Sequence, residues 1–392
     1  MNIMIIIPSL SGGGAERVAI TLASELHKNH KVNIVTYFEA KDKYAYPSDI
    51  HVDCLNKGRI DNPVQKVSHT VSRIMWLRRL KKRYKIECSI SLLPTPNFEN
   101  VLSKVNDKII ISIRAKCSVN THGIYKWMNT YAGNHADKVV ALSKNVMYDE
   151  ADFFKIKKGK LLTIYNPCDI EAIRAKGSEV LNDKVFEAIR QVSDYLVITA
   201  GRVVEQKGQW HLIRAFSEVV KQNKKAKLVI LGEGDMQDYC NELIRSMNLQ
   251  DNIYMLGFHS NIYPYLSRAD VFCFSSLYEG FGNILLEAMA CGLPIISTDC
   301  DAGPRELLAP KTNPRIFAGK VEYEEYGVLT PVHDWIQYSA EDPLAETEMQ
   351  QAEALCTLMH DCIKLKHYRN QSNKRIQEFS KESIIKEWEE IL

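Results

Sequence analysis

Short β-branched apolar runs alternate with stretches of helical spacing along the whole chain. The first run covers residues 2–7 and empties into Pro8-Ser9-Leu10-Ser11-Gly12-Gly13-Gly14, after which Ala15, Val18, Ala19, Leu22 and Leu26 recur at the period of an amphipathic helix. Further runs fall at 32–37, 86–92, 108–113, 138–142 and 161–165. A second series follows at 195–200, 227–231, 252–256, 270–274, 294–298 and 326–330. Strands separated by helices in this way predict an α/β architecture of parallel sheets with helices on both faces. Between the series, from Pro167 to Asp194, the chain is polar and helix-prone; the boundary belongs there, giving domains 1–180 and 181–375. Residues 309–325 read as an irregular surface insertion. Ile384, Ile385, Trp388 and Leu392 share one face of a short closing helix.

Length agrees with two cores, because 392 residues exceed what one ordinary core holds. Charge narrows the partners: a net charge of +2 is too small to imply nucleic-acid binding. Ten cysteines are scattered with no C-x-x-C pair and no zinc-like spacing, so a reducing cytoplasm is the simplest home. No apolar run is long enough to span a bilayer. Residues 1–7 lack a basic leader and run straight into the glycine loop, so any membrane is expected to be met from the cytoplasmic side.

Candidate chemistry gathers where strands end, since ligands of open parallel sheets bind outside the carboxyl ends of the strands. The triple-glycine loop can bring backbone N–H groups up to an anion. It is not a Walker loop, because no Gly-Lys-Ser/Thr follows. It half fits a dinucleotide fingerprint, with Gly12, Gly14 and Glu39 in place but Arg17 in the third glycine slot; a plain strand-to-helix turn explains it equally well. Arg202 and Lys207, in the loop from Gly201 to Gly208, combine a planar fork with a point charge, a pair suited to a diphosphate. Two solvated cations are the plainer alternative. Glu279 falls in the loop after the run at 270–274, placed to meet a ligand, and Glu287 in the second turn of a helix starting near Gly282, placed to accept from two vicinal hydroxyls. A Glu279 that only complements the helix dipole and a solvated Glu287 would do neither. Asp299-Cys300-Asp301 has a D-x-D form, but further ligands of suitable spacing are lacking and no metal is expected. Residues 66–85 carry eight basic side chains and no acidic one, interleaved with Val67, Val71, Ile74, Met75, Leu77 and Leu80. Arg73, Arg78, Arg79, Lys81, Lys82 and Arg83 are therefore candidates for lying on an anionic membrane. A core-packed helix with a solvated basic face is the alternative.

Taken together, the glycine loop, Arg202 and Lys207, Leu231-Gly232-Glu233-Gly234, Gly257-Phe258, the block from Glu279 to Glu287, Asn166-Pro167, Gly303-Pro304-Arg305-Glu306 and Tyr326-Gly327-Val328-Leu329-Thr330-Pro331 resemble the family 4 glycosyltransferases of the GT-B fold. The likeness runs almost end to end and is densest in the second half. It implies two Rossmann-like, doubly wound parallel-sheet domains facing across a cleft, the first binding acceptor and the second the nucleotide-sugar, with residues 376–392 crossing back onto the first. It also implies retaining transfer from a nucleotide-diphosphate sugar, UDP ahead of GDP, with no cofactor and no essential metal. By the same likeness, Arg202 and Lys207 would stabilise the departing diphosphate with help from a backbone amide at Gly13 or Gly14. Glu287 would hold the ribose, Gly257 and Phe258 would lie at the base, and Glu279 with Gly280, Phe281, Gly282 and Asn283 would hold the sugar and phosphate. Many members carry a first-domain His facing the donor sugar; here the corresponding strand ends in Arg114, with His122 a second candidate. Relatives acting on polyprenyl-linked sugars share the Arg, which points to a polyprenyl-diphosphate-linked glycan acceptor, cell-surface polysaccharide synthesis and a peripheral place at the inner face of the cell membrane. The rival readings are an NAD-dependent oxidoreductase and a non-catalytic sugar-nucleotide-binding subunit.

Overall fold

β1 (Asn2–Ile7) is apolar at all but its first position, and both of its faces are covered. Ile3, Ile5 and Ile7 join one core with α1 (Gly14–Leu26), whereas Met4 and Ile6 join another with Leu77 and Leu80. A central strand of a parallel sheet needs this double burial. The structure is a computed structural model that describes all residues except 12, 40–45, 56–62, 117 and 119–121, and the side chains of 63–66 are also left out. Gly12, Cys117 and the Lys66 side chain therefore lie outside the described residues.

After β1 and α1 come β2 (Lys31–Thr36), β3 (His51–Cys54), α2 (Pro63–Arg83), β4 (Cys88–Leu92), α3 (Pro94–Leu102), β5 (Lys108–Ile113), α4 (Gly123–His135), β6 (Lys138–Ala141), α5 (Lys144–Asp152) and β7 (Leu161–Thr163). Among the described residues the sheet has seven parallel strands in the order β3-β2-β1-β4-β5-β6-β7. The order reverses between β1 and β4, which makes the loops after these strands a topological switch point.

The second series repeats the plan. It runs α6 (Ile170–Gly177), α7 (Lys184–Val192), β8 (Tyr195–Ala200), α8 (Gln209–Gln222), β9 (Ala226–Leu231), α9 (Gln237–Ser246), β10 (Ile253–Gly257), α10 (Tyr263–Leu266), β11 (Val271–Phe274), α11 (Asn283–Ala290), β12 (Ile295–Thr298), α12 (Pro304–Leu308), β13 (Glu322–Tyr323), β14 (Val328–Thr330), α13 (Glu346–His360), α14 (Cys362–Arg375) and, last, α15 (Lys381–Glu389). Its sheet has the order β10-β9-β8-β11-β12-β14-β13, parallel except for β13 against β14, with the switch point between β8 and β11. β3 and β13 were not indicated by the apolar pattern. Both are sheet edges, where a strand needs no continuous hydrophobic run.

Contacts divide the chain into a first unit, Met1–Pro167 with Lys381–Leu392, and a second, Cys168–Ser380. The sequence reading places these divisions near 180 and 375. α6 belongs to the second unit, where Arg174 Nε donates to Ala290 O of α11 (3.0 Å). The two ends of that unit pair with each other, Cys168 N donating to Phe379 O (2.7 Å). α15 completes the first unit: Ile384, Ile385 and Trp388 share the core that holds Ile3, Leu22 and Leu26, and Lys108 Nζ donates to Leu392 O (3.0 Å).

Asp183 caps α7, accepting from Val185 N (3.0 Å) and Phe186 N (3.1 Å), and its other oxygen takes the Tyr265 hydroxyl (2.9 Å). Asp183→Ala is expected to lower the unfolding free energy by about 1–2 kcal/mol, the worth of a helix cap. A urea midpoint unchanged from the parent would refute this account of where α7 begins.

Candidate functional site

At the switch point of the second sheet, two loops are stitched together. Leu277 N donates to Gln206 O (2.8 Å), Ser275 Oγ to Lys207 O (2.9 Å) and Gln206 Nε2 to Tyr278 O (3.0 Å). This registers Lys207 Nζ on Glu279 Oε1, which Ser276 Oγ also reaches at 3.1 Å, while the ammonium lies 5.3 Å from the centre of the Phe274 ring. With only 16% and 10% of the two side chains exposed, Lys207 is a held cation and not a solvated one. Arg202, five positions earlier in the same loop after β8, is exposed and forms no ion pair among the described residues. One clasped and one open cation thus flank the carboxyl edge of β8, an arrangement that suits a multiply charged anion.

α11 begins beside this pair. Its cap, Gly282, has φ +83°, a left-handed turn that favours glycine. Gly303 leaves no room for a side chain either, since a Cβ there would stand 1.8 Å from Phe281 O. These constraints fix the turn from which α11 starts, where the first amides have no helical acceptor. Gly280 and Asn283 are partly exposed there, and Glu287 is half-buried in the second turn. The Phe281 ring is buried and packs 6.1 Å from that of Phe379, so it braces the turn and leaves the backbone of that turn as what Phe281 offers a ligand. At the end of β10, Gly257 O accepts from Gly232 N (2.7 Å), Phe258 N donates to Glu233 Oε1 (3.3 Å), and the Phe258 ring is 71% exposed. Glu233 and Ser276 carry no assigned role in the sequence reading. Their signal was a polar residue within two or three positions of a buried strand's end.

The D-x-D aspartate Asp299 is committed elsewhere. Its Oδ2 accepts from Arg305 Nε (2.8 Å) and Ala318 N (2.6 Å), and Arg305 also reaches Glu322 Oε2 (2.7 Å). Burial raises the Asp299 carboxyl while Arg305 pulls against it. The pair ties residues 318–322 to the sheet, so the stretch 309–325 is anchored at its far end.

In the first unit, Gly13 caps α1, and its amide is already given to Ser11 O (2.7 Å). Gly14, in the first turn, keeps an amide with no helical acceptor. The Glu16 carboxylate folds over the loop, with Oε2 only 2.1 Å from where a Gly13 Cβ would stand. Arg114 follows β5, donating from Nη1 to Ser112 Oγ (3.1 Å) and from Nη2 to Asn166 Oδ1. Burial pulls its guanidinium down to about 10, and no carboxylate among the described residues offsets that. Asn166 thus acquires a reason for its place in Asn166-Pro167. His122 is an exposed residue just before α4, after 119–121, which lie outside the described residues.

α2 is a helix as expected, but its basic residues split. Lys81 requires a correction, because it is buried: Nζ lies 2.8 Å from Asp107 Oδ2 and donates to Asn100 Oδ1 (2.6 Å). Desolvation lowers its pKa to about 8 in spite of Asp107. Arg73 turns inward too, its Nε 2.8 Å from Oε1 of the buried Glu99. Arg78, Arg79, Lys82 and Arg83 remain exposed, as do Val67, Val71 and Met75 on α2 and Ile124, Tyr125 and Trp127 on α4. Between these helices lies a largely apolar groove of about 530 Å³. Among the described residues no helix is long and apolar enough to cross a membrane.

Residues 181–326 match the model of the glycosyl transferases group 1, and residues 12–172 that of glycosyltransferase family 4. An uncharacterized glycosyltransferase of Methanocaldococcus jannaschii is 33% identical over 366 residues, covering 85% of this chain and 88% of its own. The N-acetylgalactosamine-N,N'-diacetylbacillosaminyl-diphospho-undecaprenol 4-alpha-N-acetylgalactosaminyltransferase of Campylobacter jejuni is 27% identical, covering 98% and 97%. Among solved structures, Anabaena HepE in complex with UDP superposes with a TM-score of 0.76 at 18% identity, covering 100% of this chain and 99% of that one, which shows a shared fold.

Proposed function

The chain belongs to the family 4 glycosyltransferases, and from that premise we propose that it moves a sugar from a nucleoside diphosphate, UDP ahead of GDP, to a lipid-linked glycan in cell-surface polysaccharide synthesis, with retention at the anomeric carbon. The observation that carries this reading is the Lys207–Glu279 clasp beside the open Arg202 and the start of α11. As the sugar leaves, charge develops on the diphosphate oxygens. Cations and helix amides fixed before the reaction stabilise that charge without reorganising. Glu279 takes the donor sugar together with Gly280, Gly282 and Asn283, Glu287 the ribose, and Gly257 and Phe258 the base. Within the first unit, Gly14 and Arg114 are the residues proposed to take part. No essential metal enters the scheme, and one of the two D-x-D carboxylates, Asp299, is held by Arg305. An oxidoreductase has no place in this family.

The name of the Campylobacter relative, which specifies a diphospho-undecaprenol-linked saccharide, supports a polyprenyl-diphosphate carrier here. Exposed Arg78, Arg79, Lys82 and Arg83 beside the apolar surface of α2 and α4 support peripheral contact with an anionic membrane. Reversing those four charges should release the chain from anionic vesicles in a flotation assay, and full co-flotation of the variant would remove the helix from this role.

The decisive test of the function is a panel of UDP- and GDP-sugars with released nucleotide as the readout; silence across the panel in the presence of lipid-linked acceptors would overturn it. Phe258→Ala is expected to weaken nucleotide binding roughly tenfold, within the range of about 1–3 kcal/mol for a base stacked on an aromatic ring. Calorimetry with UDP measures this directly, and an unaltered Kd would move the base elsewhere.

A further inference from the structure

The segment after β14, residues 331–345, is held by a buried charge cluster that sugar transfer as described does not use. Glu348 of α13 receives His211 Nδ1 (2.7 Å) and Arg214 Nε (3.0 Å) from α8, and all three side chains are fully buried. His211 Nε2 meets Asp334 O (3.0 Å), Arg214 Nη2 donates to Pro343 O (2.9 Å), and Trp210 Nε1 donates to Ile336 O (3.0 Å). Buried charges are costly unless every polar atom is satisfied. Here the remaining donors go to backbone carbonyls of one loop, so what the cluster secures is the position of that loop.

The loop presents Trp335. Its ring is 57% exposed and stacks on that of Tyr278, itself 46% exposed, with centroids 5.7 Å apart and planes 30° from parallel. Tyr278 directly precedes Glu279, and its carbonyl is bonded to Gln206, so the pair adjoins the Lys207–Glu279 clasp. Two rigidly held, half-bare rings offer a negative π-face, and one face of a pyranose presents weakly positive C–H groups to match it. Position separates this ligand from a nucleobase. Along the sheet edge, Phe258 follows β10 and Tyr278 follows β11, three strands apart in the order β10-β9-β8-β11. At roughly 4.8 Å per strand that is about 14 Å, which puts the pair beyond the diphosphate, at the sugar end of an extended donor.

We propose that Tyr278 and Trp335 form an aromatic platform on which the pyranose ring of the donor stacks, and that this platform takes part in choosing the sugar. The proposal rests on the reading that the second unit binds a nucleotide-sugar. It is tested by calorimetry with UDP and with UDP-hexoses, or with GDP and its hexoses if guanine is the base, on the parent chain, Trp335→Ala and Trp335→Phe. The alanine variant is expected to bind the nucleotide-hexose about three- to tenfold more weakly, the scale of an aromatic contact, while its affinity for the bare nucleotide stays the same and the phenylalanine variant recovers most of the loss. Equal losses for the bare nucleotide and its hexose, or no loss for either, would overturn the platform alone. A parent chain that binds no nucleoside diphosphate would overturn the underlying reading as well.

Discussion

Lys207→Ala should lower kcat for sugar transfer by about 10²–10³, the cost of removing one preorganised donor from a site where transition-state charge develops. The ammonium is positioned before any ligand arrives, by Glu279 on one side and the Phe274 ring on another. Arg202 remains in the variant, but it is exposed and must be ordered during the reaction, so it replaces little of what is lost. The loss should appear mainly in kcat, because bound substrate and free donor carry similar phosphate charge until the glycosidic bond begins to break. Lys207 and Glu279 act as a unit. Lys207→Ala combined with Glu279→Gln should therefore cost scarcely more than the worse single change, and a fully additive double variant would contradict the clasp. Loss of the cation also leaves Glu279 with Ser276 as its remaining hydrogen-bond partner among the described residues, a penalty of about 1–3 kcal/mol in unfolding free energy. A folded Lys207→Ala variant with the parent's kcat would exclude this lysine from the chemistry.

The second large effect concerns stability. Glu150 lies on α5 with both carboxyl oxygens buried and meeting no hydrogen-bond donor among the described residues. Burial first, and then the neighbouring Asp149, push its pKa from the ordinary 4.5 to about 8. Between those values the folded chain keeps a proton that the unfolded chain releases. Stability from this group is therefore fully present below about pH 4 and drains away as pH rises toward 8. At about 1.4 kcal/mol per pKa unit the window is worth on the order of 5 kcal/mol. Glu150→Gln keeps the shape without the titration. It should match the parent in urea melts at pH 5 within the small cost of an amide for an acid, and exceed it by several kcal/mol at pH 8.5. Parallel pH profiles for the two chains would show that Glu150 finds a charged partner.

Much of the fold was legible because parallel strands buried on both faces must be apolar throughout: the runs at 2–7, 195–200 and 270–274 reappear as β1, β8 and β11. Two of the edges were not: β3 and β13 are bound through one neighbour and carry no such run, whereas the edge strands β7 and β10 do. The helix at 63–83 was legible from its spacing, but not the loyalties of its cations. Lys81 and Arg73 are as basic in sequence as Arg78, and only the approach of Asp107 and Glu99 from other elements turns them inward.

The same division runs through the site. Sequence by itself singled out the loops that the proposed site uses, because glycine turns and charges at the ends of apolar strands are local features, and their order was enough to indicate the family. Tertiary structure decided what those residues touch. It joined Lys207 to Glu279 across 72 positions of chain, buried the Phe281 ring, paired Asp299 with Arg305, gave Asn166 to Arg114, and brought Trp335 over Tyr278. Contacts between residues distant in sequence depend on how strands are ordered in the sheet and on which loops share its carboxyl edge, and neither local propensity nor spacing contains that information.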